Sequence, residues 1–315
     1  MRRLREGGVT ILYISHRLEE VERICDYVTV LRDGRVIDTL EVAETTTRTL
    51  TNLMLGRTLL EHFPRRSARI GKELLRVQGL TRYGVFEDVD FTLHSGELLG
   101  ITGVIGSGGT AILHAVFGIN PADEGQVYVD HRLVQIRSPQ DAIALGMGLL
   151  SEDRQEKGLV LDMGIGENIN LALLEKEPRG PLIDHKQEAE LALHFVESFR
   201  INIPYPAFKA RYLSGGNQQK VIVSKWMATA PRILLCDEPT QGIDIGAKVE
   251  VYRVLNDLAR RGVGIIMVSN DVTEILNVCD RVLVLRYGNP VCTLRCQDTD
   301  RATVMAYMLG ETPDE

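Results

Sequence analysis

Three stretches carry residue types whose spacing suits phosphate chemistry. Residues 103–110 read GVIGSGGT, after an apolar run at 97–102 and before an apolar helical pattern. They fit the phosphate-loop frame G-x-x-x-x-G-K-[ST], with Gly109 where the frame has lysine. Gly103, Gly106, Ser107 and Gly108 would let backbone N–H groups curl round a phosphate at a helix amino terminus. Thr110 is placed to hold Mg2+, whereas Gly109 offers backbone and no ammonium. Taken alone, an ordinary tight turn fits the same glycines. Residues 233–240, ILLCDEPT, end an apolar strand in two carboxylates. Asp237 would anchor Mg2+, and Glu238 would polarise an attacking water from hydrogen-bond distance. A solvated acidic turn is the plain alternative. Residues 213–220, LSGGNQQK, put Ser214, Gly215 and Gly216 at the start of a helical pattern, which makes either an N-capped anion site or simply a helix cap.

These loops need strands and helices behind them. Alternating patterns at 73–79 and 89–93 read as half-exposed strands. The apolar runs at 97–102, 233–236 and 263–268 read as buried parallel strands. Helical patterns at 187–199, 220–228 and 248–260 intervene. The expected class is α/β, with a parallel core sheet and a small antiparallel β subdomain in front.

A repeat sets the organisation. Residues 8–37 and 262–291 align without a gap at an offset of 254, with 12 of 30 positions identical. Farther on, Met54-Leu55-Gly56 matches Met308-Leu309-Gly310 at the same offset. The end of one unit therefore occurs twice and its body once. The expected layout is the tail of a first unit at 1–60, a linker at 61–72 and a complete second unit at 73–315. The linker contains the arginine-rich, proline-containing HFPRRSAR.

Bulk properties narrow the classes. A net charge of −7 with 5% aromatic residues disfavours a nucleic-acid or anionic-membrane binder. The five cysteines are odd in number and form no CxxC pair, so they read as free thiols of a reducing compartment. The basic start MRRLREGG lacks the apolar run of a signal peptide, and no window approaches a membrane span.

Together, the frame 103–110, the loop 213–220, the strand 233–240 and the turn Gln241-Gly242-Ile243-Asp244 resemble an ATP-binding cassette ATPase. The wording SEDR at 151–154, LSGGNQQK at 213–220 and DEPTQGIDIGAK at 237–248 is similar to the second cassette of the ribose, galactose and xylose type of importer ATPase, in which two cassettes share one polypeptide. The resemblance implies a phosphate-loop ATPase core with a helical subdomain carrying 213–220, and ATP and Mg2+ as cofactors. It gives Tyr83 to the adenine and the loop residues Gly103, Gly106, Ser107, Gly108, Gly109 and Thr110 to the phosphates. It gives Thr110 and Asp237 to the metal, and Glu238 to the water. Glu152 stands where most cassettes have a glutamine that senses the metal and the membrane partner. Asp244 falls in the loop that crosses between cassettes. Asn270 stands at the catalytic switch histidine, and the repeat aligns it with His16, the switch histidine of the first unit.

Cassettes of this kind work head to tail. Ser214, Gly215 and Gly216 would complete the site of a first cassette, whose His16 is present, while 103–110 would need a signature loop from that partner. Gly109, Glu152 and Asn270 together imply that the site of the second unit is degenerate. The implied partners are transmembrane permease subunits, another cassette and, indirectly, a periplasmic sugar-binding protein, with no nucleic acid. The implied place is the cytoplasmic face of the inner membrane. The leading expectation is an ATPase subunit of a monosaccharide importer. Its competitors are a translation or repair cassette, disfavoured by charge, and a non-catalytic module that only completes a partner's site.

Overall fold

The computed structural model describes residues 1–15, 18–32, 34–55, 69–176 and 185–311. His16 and residues 61–68 of the expected linker lie outside the described residues. The tail holds α1 (Arg2–Glu6), α2 (Leu18–Ile24), β1 (Tyr27–Arg32), β2 (Arg35–Glu41) and α3 (Thr47–Leu55). Next come β3 (Glu73–Arg82), β4 (Phe86–His94), β5 (Leu98–Gly103), α4 (Gly109–Val116), β6 (Glu124–Val129), β7 (Arg132–Val134), α5 (Pro139–Ala144) and β8 (Met147–Leu150). The helical part follows: α6 (Ile165–Asn170), α7 (Leu173–Lys176), α8 (His185–Ser198) and α9 (Gly215–Ala228). The chain then returns through β9 (Ile233–Asp237), α10 (Ile245–Arg260), β10 (Gly264–Val268), α11 (Val272–Val278), β11 (Arg281–Arg286), β12 (Asn289–Arg295) and α12 (Arg301–Leu309).

The expected class holds. The core sheet runs β12-β11-β5-β10-β9-β8, and every neighbouring pair is parallel except β11 with β12. Strands β5, β9 and β10 are buried along their whole length. They are apolar without alternation because helices cover both faces. A second sheet, β4-β3-β6-β7, is antiparallel and alternates in burial. Strand β5 starts one residue later than the apolar run suggests. Glu97 is turned inward, where its carboxylate accepts from the His94 N–H at 2.8 Å and from Arg281 at 2.8 Å. A buried carboxylate is tolerable there because it is paired.

The repeat persists in the structure. Elements α2, β1, β2 and α3 match α11, β11, β12 and α12 at both ends, each at an offset of 254. Tyr27 pairs with Glu41 as Arg281 pairs with Arg295, and both hairpins slip register at the same place, Val30/Leu31 and Val284/Leu285. The tail buries its own small cluster of Leu18, Val30 and Leu50.

Candidate nucleotide site

Strand β5 delivers the chain into the loop 103–108, which closes on itself before α4. The Ser107 N–H bonds the Val104 carbonyl at 2.8 Å, and the Gly288 N–H bonds the Ser107 carbonyl at 3.1 Å. A Cβ on Gly103 would lie 2.3 Å from Ser107 Oγ, so the curl requires glycine there. Gly106 and Gly108 have positive φ, which a side chain would strain. The result is a glycine cradle opening onto the first N–H groups of α4, an anion-binding arrangement that phosphate fits.

Thr110, in the first turn of α4, donates its hydroxyl to Asp237 Oδ1 at 2.8 Å, so the ends of α4 and β9 meet. Burial lifts Asp237 to about 6, against the Thr110 hydrogen bond that lowers it. Glu238 is raised to about 7, again chiefly by burial, with the Asn270 N–H holding the charged form. Its Oε1 accepts that N–H at 2.7 Å. Glu238 itself has φ 44, a left-handed strain held by its N–H to the Val268 carbonyl at 3.0 Å. A hydroxyl and a carboxylate make an oxygen-only donor set that suits Mg2+, with phosphate oxygens and waters to complete it. Among the described residues no cluster of three or more His, Cys, Asp or Glu could hold a metal unaided.

Glu152 reaches the same neighbourhood: its Oε1 accepts from Gln241 Nε2 at 3.2 Å. Asn270 is exposed at the mouth. Tyr83 follows β3, its hydroxyl bonded to Glu124 and its N–H to Asp123 at 2.9 Å, and the residue is 63% exposed. The hairpin it starts lies against the cradle, since a Cβ on Gly108 would sit 3.5 Å from the Val85 carbonyl. Ser214, Gly215 and Gly216 begin α9. A Cβ on Gly215 would meet Arg154 and Ile243, and one on Gly216 would meet Ala247. Ser214 stands at the N-cap position of α9, yet its hydroxyl caps no backbone N–H and instead accepts from Asn217 Nδ2 at 3.1 Å. This corrects the simple helix-cap reading and leaves Ser214 at the exposed lip of the helix. Asp244 does cap α10, accepting the Ala247 N–H at 2.9 Å.

Two residues to which the sequence assigned no role hold these parts together. Arg154 donates to the carbonyls of Gln241 at 2.6 Å and Gly242 at 3.0 Å, fastening the turn after Glu238. Glu274 is buried and takes Thr240 Oγ1 at 2.7 Å, Ser269 Oγ at 3.2 Å and the Lys248 ammonium. It thereby joins that turn to the residue before Asn270. The repeat carried the signal, because Glu20 and Glu274 are one of its identical pairs.

Residues 86–241 match the family model described as ABC transporter. The chain is 44% identical over 307 residues to the ribose import ATP-binding protein RbsA of Geobacillus kaustophilus, a match covering 98% of the chain and 62% of that protein. It is 43% identical to a putative ribose/galactose/methyl galactoside import ATP-binding protein of Agrobacterium fabrum, with coverages of 98% and 62%. The chain thus spans a little under two thirds of the curated relatives it matches. Among solved structures, the ADP conformation of an ATP-binding cassette of an ABC transporter superposes with a TM-score of 0.66 at 21% identity, covering 76% of this chain and all of that one. A cassette dimer bound to ADP and phosphate gives 0.62 at 22% identity, covering 71% and 99%. At such identities these structures speak for the fold, and the sequence relatives speak for the family. Over residues 86–241 the chain is thus similar to the ABC transporter family, on the fold of an ATP-binding cassette.

Proposed function

We propose that this protein is an ATP-binding, ATP-hydrolysing component of a monosaccharide importer, with residues 73–315 as a complete second cassette, 1–60 as the end of a first, and 61–72 as the link. The observation that carries the nucleotide reading is the contact of Thr110 with Asp237 at the open end of the glycine cradle. Gly103, Gly106, Ser107, Gly108 and Gly109 bind phosphate through backbone N–H groups, and Thr110 and Asp237 hold the metal. Bound there, Mg2+ neutralises phosphate charge. Tyr83 lies along the base, and Glu238 positions a water through its backbone-anchored carboxylate. The tail supports the two-cassette layout because it repeats α11 to α12 element by element.

The curated relatives are named for ribose and galactose import, which favours a pentose or hexose as cargo. Among the described residues no helix is long and apolar enough to cross a membrane. The proposed partners are permease subunits, with this protein docked on them at the inner membrane's cytoplasmic face. A periplasmic sugar-binding protein feeds those subunits. In the pair of cassettes the productive ATP lies on the first cassette's phosphate loop, against His16 and Ser214, Gly215 and Gly216 of this chain. The site with Gly109, Glu152 and Asn270 contributes little chemistry.

Sugar uptake and ATPase rate, measured with a first cassette and permease co-expressed, test the asymmetry. Ser214→Arg should abolish both, His16→Ala should cost orders of magnitude, and Glu238→Gln should be mild. If Glu238→Gln is the most damaging and His16→Ala is silent, the reading is wrong. Gly109 and Asn270 also favour a second reading, a cassette that only completes a partner's site. ATP turnover by the pure chain that is lost in Glu238→Gln would exclude it.

A further inference from the structure

One guanidinium touches three segments that are distant in the chain. Residues Arg154–Gly158 form a single π-helical turn, a rare form associated with functional sites. Asp153 opens it, its Oδ1 accepting the N–H groups of Gln155 at 3.1 Å and Glu156 at 3.0 Å. The turn then runs along α9. Gln155 Nε2 donates to Gln218 Oε1 at 3.5 Å, a Cβ on Gly158 would lie 2.6 Å from Ile222 Cδ1, and Lys225 Nζ donates to the Gly158 carbonyl at 2.6 Å. At the amino-terminal end of the helix, a Cβ on Gly215 would lie 3.0 Å from Arg154 Nη2. Positions 215, 218, 222 and 225 follow the three-and-four spacing that lines one side of a helix. The π-helical turn and α9 are therefore one packed piece.

The turn 241–244 comes from elsewhere, from the end of β9 beyond Asp237 and Glu238. Arg154 fastens it to that piece, Nη1 donating to the Gln241 carbonyl at 2.6 Å and Nη2 to the Gly242 carbonyl at 3.0 Å. Beside this fork, Gln241 Nε2 donates to Glu152 Oε1 at 3.2 Å. The fit is close: the Cβ that Gly215 lacks would also lie 3.1 Å from Ile243 Cγ2. Leu213 and Ile243 are buried, whereas Ser214 and Asp244 next to them are exposed. A planar fork can hold two adjacent carbonyls at once, which the point charge of a lysine cannot.

We propose that Arg154 is a positioning residue that locks the turn 241–244 to the amino terminus of α9, so that Ser214 and Asp244 meet the nucleotide of a partner cassette as one preset surface. The assignment rests on the pairing with a first cassette proposed above. Arg154 touches no nucleotide in this arrangement, so its loss falls on turnover and spares ATP affinity.

ATPase rates of the chain co-expressed with a first cassette and permease test this. Arg154→Ala should lower kcat about tenfold or more, the value of at least one charge-assisted contact, and leave KM for ATP within about twofold. Arg154→Lys should lose nearly as much. Millimolar guanidinium should restore most of the rate in Arg154→Ala, where the space is open, and none in Arg154→Leu, where it is filled. In the chain alone, amide exchange at 241–244 should quicken about tenfold or more in Arg154→Ala while β10 keeps its rates. A raised KM with unchanged kcat would place Arg154 on the nucleotide and overturn the proposal. Unchanged exchange at 241–244 would overturn it too, as would quickening throughout β10, the mark of a general loss of stability. If Arg154→Ala is silent yet Ser214→Arg abolishes turnover, the pairing stands and this proposal falls. If the parent assembly turns over no ATP, or Ser214→Arg is silent, both fall.

Discussion

Residues 18–55 and 272–309 fold into the same elements with the same register slip, yet they live in different surroundings. Strand β11 lies between β12 and β5, whereas β1 has β2 alone. Leu285 is fully buried and its equivalent Leu31 is 62% exposed. The contrast is greater one strand earlier. Residues 10–14 align with β10 but form no strand, and Leu12 and Ile14 are 93% and 90% exposed. Hairpin and helix are thus local properties: Gly34 and Gly288 both turn their hairpins with positive φ. A central strand is not local, because its backbone groups need neighbours on both edges. Among the described residues, β1 and residues 10–14 have no strand beside them of the kind that β5 and β9 give to β11 and β10.

The sharpest test substitutes equivalent positions. Leu285→Asp places an unpaired charge opposite Gly103 in the core sheet and should cost more than about 4 kcal/mol, leaving the cassette unfolded by circular dichroism. Leu31→Asp should stay within about 0.5 kcal/mol in urea titrations of the same chain. Similar losses at both positions would show that the edge of β1 is covered, and would break the comparison.

Much of this was legible in the sequence because its signals are local. The cradle's glycines, the two carboxylates after an apolar strand and the offset of 254 all survive unchanged. Other features depend on partners distant in the chain. Glu274 acts through groups 5 to 34 residues away and Arg154 through groups 87 and 88 residues away, and residue type alone does not announce either role. Strand β3 runs past Gly79 to Arg82 because β4 and β6 tolerate register slips there, which an alternation count does not foresee. Ser214 looks like a cap by type and place, but Asn217 takes its hydroxyl.

A smaller effect concerns chemistry, where the unit departs from its own tail: Asn270 aligns with His16, and Gly109 leaves the cradle without an ammonium. Gly109→Lys should tighten Mg-ATP binding by about tenfold in calorimetry. The new Cβ would lie 3.0 Å from Val268 Cγ1, so that side chain must yield by a few tenths of an ångström. The gain should therefore be larger when Val268→Ala is added. Equal affinities in parent and variant would remove the case for a degenerate site.

The smallest effect isolates the unit, since Glu238 has no equivalent in the tail and the tail's hairpin serves as the unchanged reference. Burial raises the Glu238 carboxyl from its ordinary value of 4.5 to about 7. Below pH 4.5 both folded and unfolded chains hold this proton, so the carboxyl is neutral to stability. Between that pH and about 7 the unfolded chain releases it first, and the fold loses stability as pH rises. Above about 7 the loss is complete and constant. Glu238→Gln removes the burden, with a gain of about 1–2 kcal/mol at pH 8 after allowance for solvent screening of a partly exposed group. Thermal melts without magnesium should show the variant a few degrees more stable at pH 8 and indistinguishable from the parent near pH 4.5. Asp237, lifted to about 6 chiefly by burial, acts in the same direction and is common to both proteins. A stability difference that is flat across this range, or greatest in acid, would mean that Glu238 is solvated rather than held in a dry site beside Asn270.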